Sequence, residues 1–173
     1  MCGKRVAAVL LPLMLAACGL GTSEPIGGLG NATVTTTGAV SVSGNAIAVF
    51  QSGTFGNASL FQIVVTPSIS ETTPWEISVA APVPRLAVGT YPFTTPGSPS
   101  PIALEATFGT RNGTTGTTYL ATSGELVITS SSPLVVRGTI HFTASTTPGS
   151  STAPAVTVES DFTATCLLAG ECQ

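Results

Sequence analysis

Residues 133–144, PLVVRGTIHFTA, alternate without interruption. Leu134, Val136, Gly138, Ile140, Phe142 and Ala144 fall on one side, and Val135, Arg137, Thr139, His141 and Thr143 on the other. A period of two marks a strand with one buried and one wet face. Residues 155–166, AVTVESDFTATC, repeat the pattern: Val156, Val158, Ser160, Phe162 and Ala164 point in, and Thr157, Glu159, Asp161 and Thr163 point out. One wet face implies an antiparallel sheet. Two such sheets packed face to face give the expected fold, an all-β antiparallel β-sandwich, with a β-barrel as the alternative. The link between the two segments, Ser145 then TTPGSSTAP, reads as a hairpin loop. Setting Ala144 opposite Pro154 places Ile140 opposite Val158 and Phe142 opposite Val156. On the wet side the same register places Arg137 opposite Asp161 and Thr139 opposite Glu159.

Outward from this hairpin the grammar is the same. Strand segments are expected at 32–37, 45–51, 59–66, 75–80, 85–93, 102–108, 117–122 and 124–130. Turn chemistry separates them, as in TPGSPSP and RNGTTG. Charged residues are 8% of the chain, against about 25% in an ordinary domain. The chain holds 28 threonines and 18 serines beside 19 glycines and 13 prolines. Threonine, valine, isoleucine and phenylalanine suit pleated sheet, and glycine, proline and serine suit turns. A hydrophobic content of 43% together with regular alternation argues against disorder. Residues 32–173 are therefore expected to form one domain.

The N-terminus follows different rules. Lys4 and Arg5 precede an apolar run from Val6 to Ala17. A basic start, a dozen apolar residues and a small-residue exit form the pattern of a cleaved export signal. The run is too short for a spanning helix, which needs about 20 residues. Leu15-Ala16-Ala17-Cys18 resembles the lipobox of bacterial lipoproteins. The resemblance implies that residues 1–17 are removed and that the thiol of Cys18 is acylated. It also implies at least two acyl chains, enough for stable membrane attachment. Gly19, where aspartate would suggest retention at the inner membrane, favours the outer membrane. Residues 18–31, rich in glycine and without periodicity, read as the lipidated start and a flexible tether.

Removing 17 of 173 residues leaves 156, with eight acids against Arg85, Arg111 and Arg137, a formal charge of −5. No basic patch serves nucleic acid, and no polybasic stretch serves anionic lipid. Attachment to a membrane must come from the lipid on Cys18. Cys2 leaves with the signal. Cys166 and Cys172 remain, in a chain sent to an oxidising compartment, and are expected to form a local disulfide. A two-cysteine metal site would need histidines that are absent nearby. A redox pair would have shorter C-x-x-C spacing.

The C-terminal half carries a further resemblance. Gly89-Thr90-Tyr91, then Ser123-Gly124-Glu125-Leu126-Val127-Ile128-Thr129, then Gly138-Thr139-Ile140-His141-Phe142-Thr143-Ala144 follow one another. This order resembles a group of small bacterial envelope lipoproteins of uncharacterised function. It implies an address and a fold and no chemistry.

Catalytic groups are scarce. His141 is the only histidine and Asp161 the only aspartate. A Ser/His/Asp assembly would need a sheltered serine on the same face, which nothing signals. Glu159 and Asp161 share a strand face, but calcium wants six to eight oxygens, usually on a loop. The glycines of residues 109–116 lack the Gly-Lys-Ser/Thr of a phosphate loop. No catalytic residue, metal ligand or cofactor is therefore expected. Trp75 and Tyr91 are the candidate aromatic platform for a sugar ring, although Trp75 alternates with Ile77 and Val79 on an apolar face. The expected function is a lipid-anchored, non-enzymatic binding or structural module of the envelope, with a glycan or an envelope protein as partner. A carbohydrate-binding module using Trp75 or Tyr91 is the alternative.

Overall fold

The computed structural model describes residues 28–67, 74–94, 102–112, 115–149, 152–167 and 172; Cys18, its lipobox and most of the tether lie outside them. Nine strands run through the described residues. They are β1 (Gly30–Gly38), β2 (Val42–Phe55), β3 (Ala58–Pro67), β4 (Trp75–Ala81), β5 (Gly89–Pro92), β6 (Glu105–Asn112), β7 (Thr115–Ser131), β8 (Val135–Ser145) and β9 (Ala155–Cys166). Each expected segment contains a strand, although 85–93 shrinks to Gly89–Pro92 and 102–108 begins at Glu105. Those at 117–122 and 124–130 are one long strand, β7.

The strands form a closed barrel instead of two packed sheets. β1 to β4 pair in sequence, then β4 pairs with β6, β6 with β7, β7 with β8 and β8 with β9, every pair antiparallel. The first and last strands close the ring through eight pairs, from Asn31↔Thr163 to Gly38↔Val156. Eight strands thus enclose the core, and the sandwich expectation gives way to its barrel alternative. β5 lies outside this count. Leu126 of β7 pairs with Ile140 on one edge and Tyr91 on the other, whereas Leu120 pairs with Ser145 and Thr107. β5 and β6 therefore share one edge of β7 and act as a split strand.

An eight-stranded barrel is just wide enough for side chains to fill it. Phe50, Phe61, Phe108 and Phe142 are fully buried with Ile63, Ile77, Leu126, Ile128 and Ile140. Phe93, carried inward just after β5, meets Phe142 edge to face at 5.6 Å between ring centroids. On the outer wall, Gln51 Nε2 donates to Gln62 Oε1 at 2.7 Å, and Gln62 Nε2 donates to Ser78 Oγ at 3.0 Å. These bonds tie β2, β3 and β4 with cross-strand polar pairs.

The wall bends where β7 bulges, between Ala121 and Ser123 and again between Ile128 and Ser130. A bulge adds a residue, kinks the strand and increases its twist. Glycine sits at both contacts. A Cβ on Gly124, whose φ is +125°, would overlap the His141 carbonyl, and one on Gly138 would overlap the Val127 carbonyl. Bulges and glycine kinks of this kind let a sheet curl until its edges meet.

The β8–β9 register differs from the expected one by two residues. Ser145 stands opposite Ala155, which sets Phe142 opposite Val158, Ile140 opposite Ser160, Arg137 opposite Thr163 and Thr139 opposite Asp161. The first ladder pair lies one residue beyond Pro154, which lacks an N–H but whose carbonyl accepts from the Thr146 N–H at 3.5 Å. Ser145 closes the loop mouth: its Oγ donates to the Thr147 carbonyl and accepts from the Thr147 N–H, both at 3.1 Å. A two-residue shift preserves the faces. Ile140 and Phe142 are inside and Arg137 outside, as read from the alternation.

Ser160 is the polar exception on the inner face of β9. It is 5% exposed and its hydroxyl has no hydrogen-bond partner. An unpaired buried hydroxyl keeps its desolvation penalty. Ser160→Ala is therefore expected to raise stability by up to about 1 kcal/mol, read from urea midpoints. A loss of comparable size would show that the hydroxyl is satisfied.

Candidate functional site

The candidate site lies on the outer wall where β7, β8, β9 and β1 run side by side. Pairing registers fix its rows. Asn31, Thr163 and Arg137 make one; Thr33, Asp161 and Thr139 the next; Thr35, Glu159, His141 and Glu125 a third. Strand alternation turns all of these side chains outward. Between the first two rows lies an open groove of about 370 Å³, lined by Asn31, Thr33, Thr129, Arg137, Thr139, Asp161 and Thr163 with the backbone at Gly138 and Phe162. Amide, guanidinium, carboxylate and hydroxyl groups thus converge from four strands.

Charges in the groove are available to a ligand. Arg137 and Asp161 sit diagonally across β8 and β9, and neither is engaged in an ion pair or side-chain hydrogen bond among the described residues. The expected Arg137–Asp161 pair is replaced by a different one. His141 faces Glu159 across the ladder, Nε2 to Oε1 at 4.0 Å, with both side chains more than half exposed. Solvent screens such a pair. No serine hydroxyl reaches His141, and no group of three His, Cys, Asp or Glu side chains could hold a metal ion among the described residues. The arrangement offers hydrogen bonds and opposed charges to a polar ligand.

The aromatic candidates do not come together. Trp75 is 4% exposed, with its ring 6.4 Å from that of Phe108 inside the barrel. Alternation with Ile77 and Val79 turns it inward, so it offers no face to a sugar. Tyr91 is half-buried on β5; its hydroxyl donates to the Ala87 carbonyl at 2.9 Å while its ring covers Gly89. Trp75 pairs with Thr110 near the β6–β7 turn and Tyr91 with Leu126 toward the opposite rim. The proposed platform is thus corrected: one ring belongs to the core and the other braces a turn. At the C-terminus, Cys166 and Cys172 stand at disulfide distance, with S–S 2.05 Å and Cα–Cα 6.0 Å. Cys172 is buried and its Sγ lies 3.6 Å from the Phe50 carbonyl, which ties the chain end over the barrel rim.

Sequence reasoning placed Arg137, Thr139, Asp161 and Thr163 on outward faces but missed Asn31 and Thr33. The signal was the alternation N-A-T-V-T in residues 31–35. Its use required knowing that β1 lies beside β9.

Glu76 stands on the exposed face of β4, and partial loss of water around its carboxyl, beside β6, pushes it above the ordinary 4.5. A raised carboxyl binds its proton more tightly in the folded chain. The associated stability is present below the unfolded value and is lost as pH rises through the folded one. Glu76→Gln is therefore expected to raise the urea midpoint at pH 7 and to leave it unchanged near about pH 3. A midpoint lowered at pH 7 would contradict this sign.

Comparison with family models, with curated proteins and with solved structures returns no match.

Proposed function

We propose that this chain is a lipid-anchored protein of the bacterial cell envelope, non-enzymatic, which binds a polar partner on the groove of its outer wall. The groove's free Arg137 and Asp161 amid threonine hydroxyls carry the binding reading. Phenylalanines and branched aliphatic side chains fill the interior, which directs recognition to the outside of the barrel. Apart from Val135 and Ala155 at strand ends, the outward positions of β1, β8 and β9 are threonine, asparagine, arginine, histidine and acids, a polar face unlike the apolar outer band of a barrel in lipid. No helix among the described residues is long and apolar enough to cross a membrane. Attachment is therefore assigned to acyl chains on Cys18, and Gly19 directs the protein to the outer membrane. An envelope protein or a glycan meets the groove through wet, polar contacts, and nucleic acid is excluded by the acidic balance.

Two variants test the two halves. Cys18→Ser is expected to abolish incorporation of labelled fatty acid and to leave unprocessed or soluble material. Arg137→Ala with Asp161→Asn is expected to weaken capture of the partner from native envelopes while the chain stays anchored. Membrane retention and labelling of Cys18→Ser would overturn the anchor. Unchanged capture by the double variant would overturn the groove.

A further inference from the structure

The described residues expose five large apolar side chains, Leu29, Val88, Leu120, Leu134 and Leu167. Four of them gather at one rim. Leu29 precedes Gly30, whose N–H donates to Thr165 Oγ1 at 2.9 Å. The Leu134 carbonyl accepts from the Cys166 N–H at 3.0 Å, and the Leu167 N–H donates to the Phe50 carbonyl at 2.9 Å. Three leucines from distant points of the chain thus surround the end of β9. Val88 stands on the same rim, because Gly89 pairs with Ile128 near the end of β7 and Ser131 Oγ donates to the Leu86 carbonyl. Leu120 lies apart, midway along β7.

This rim is also where the N-terminal chain leaves. Cys18 and Gly28 are ten residues apart, a separation that spans at most about 35 Å when fully extended. An anchor at Cys18 therefore holds this rim within about 35 Å of the bilayer, and it is the rim from which the tether leaves, opposite the one bearing the β6–β7 and β8–β9 turns. Arg137 is exposed on the same side, while Arg85 is held by its Nε bond to Ser131 Oγ at 3.2 Å and Glu105 begins β6 at this rim. Apolar side chains beside an exposed arginine suit the boundary between headgroups and acyl chains.

Resting on the anchor reading, we infer that Leu29, Leu134 and Leu167, with Val88, form a docking surface for the lipid bilayer itself. They seat the barrel rim-down, with its strand turns at the far end directed away from the membrane. The lipid chains supply attachment, and the leucines supply orientation.

The test uses the acylated full-length protein in vesicles of mixed zwitterionic and anionic lipid brominated in the upper acyl chain. Bromine quenches a tryptophan only at contact. Trp75, buried near the far rim, is a built-in reference whose emission should not change. In Leu134→Trp, the added emission should be quenched, and in Thr37→Trp, at the far rim, it should not be. Leu29→Trp repeats the measurement should the first variant fold poorly. Intact mass of the same sample separates the outcomes. Acylated protein with unquenched Leu134→Trp and Leu29→Trp overturns the docking surface and leaves the anchor standing, whereas a chain without acyl groups overturns both. Equal quenching at Leu134 and Thr37 also overturns it, because the barrel would then have no preferred face.

Discussion

Phe142→Ala is expected to lower folding stability by about 3–5 kcal/mol. Phe142 is fully buried, stands between Gly124 of β7 and Val158 of β9, and meets Phe93 edge to face. Its removal leaves a cavity among groups held by three backbones, so neighbours cannot collapse into it without breaking ladder pairs. Arg137→Ala, five residues away on the same strand, should cost under about 1 kcal/mol because its side chain is exposed and unpaired. Urea denaturation of the two variants gives the contrast directly. Equal losses would mean that the inner and outer faces of β8 have been exchanged.

Gly138→Ala is the second large effect, a loss of about 3 kcal/mol or more. The added methyl would overlap the Val127 carbonyl on β7, a backbone atom that can yield only if the β7–β8 pairing opens. The strain falls beside the Ile128/Ser130 bulge, where the wall turns to close. Stability and cooperativity should both fall, with exchange of β7 amides accelerated first. A Gly138→Ala protein as stable as wild type would show that the close approach at this seam is dispensable.

Most of the strand content was legible, because a period of two survives in the residues themselves. The 133–144 and 155–166 segments identified Ile140, Phe142, Val156, Val158 and Ala164 as buried, and each is. Closure was not legible. Sandwich and barrel present the same alternation, and they part company only over whether β1 pairs with β9, a contact between residues more than a hundred positions apart. The break expected between the 117–122 and 124–130 segments is a bulge inside one strand, and the positive φ of Gly124 lies beside it. The hairpin register slipped by two because local pattern cannot distinguish registers that keep the faces. The groove stayed hidden for the same reason as the barrel, since Asn31 and Thr33 join it only through closure. Trp75 was readable in the other sense: its alternation with Ile77 and Val79 already favoured the core where it lies.

The anchor at Cys18 is the claim on which address and orientation both depend, and one mass spectrum tests it. The protein is extracted from native envelopes in detergent and measured intact without reductant. The expected mass is that of residues 18–173 carrying at least two acyl chains and lacking the two hydrogens of the Cys166–Cys172 bond. A chain beginning elsewhere, or beginning at Cys18 without acyl groups, would contradict the account.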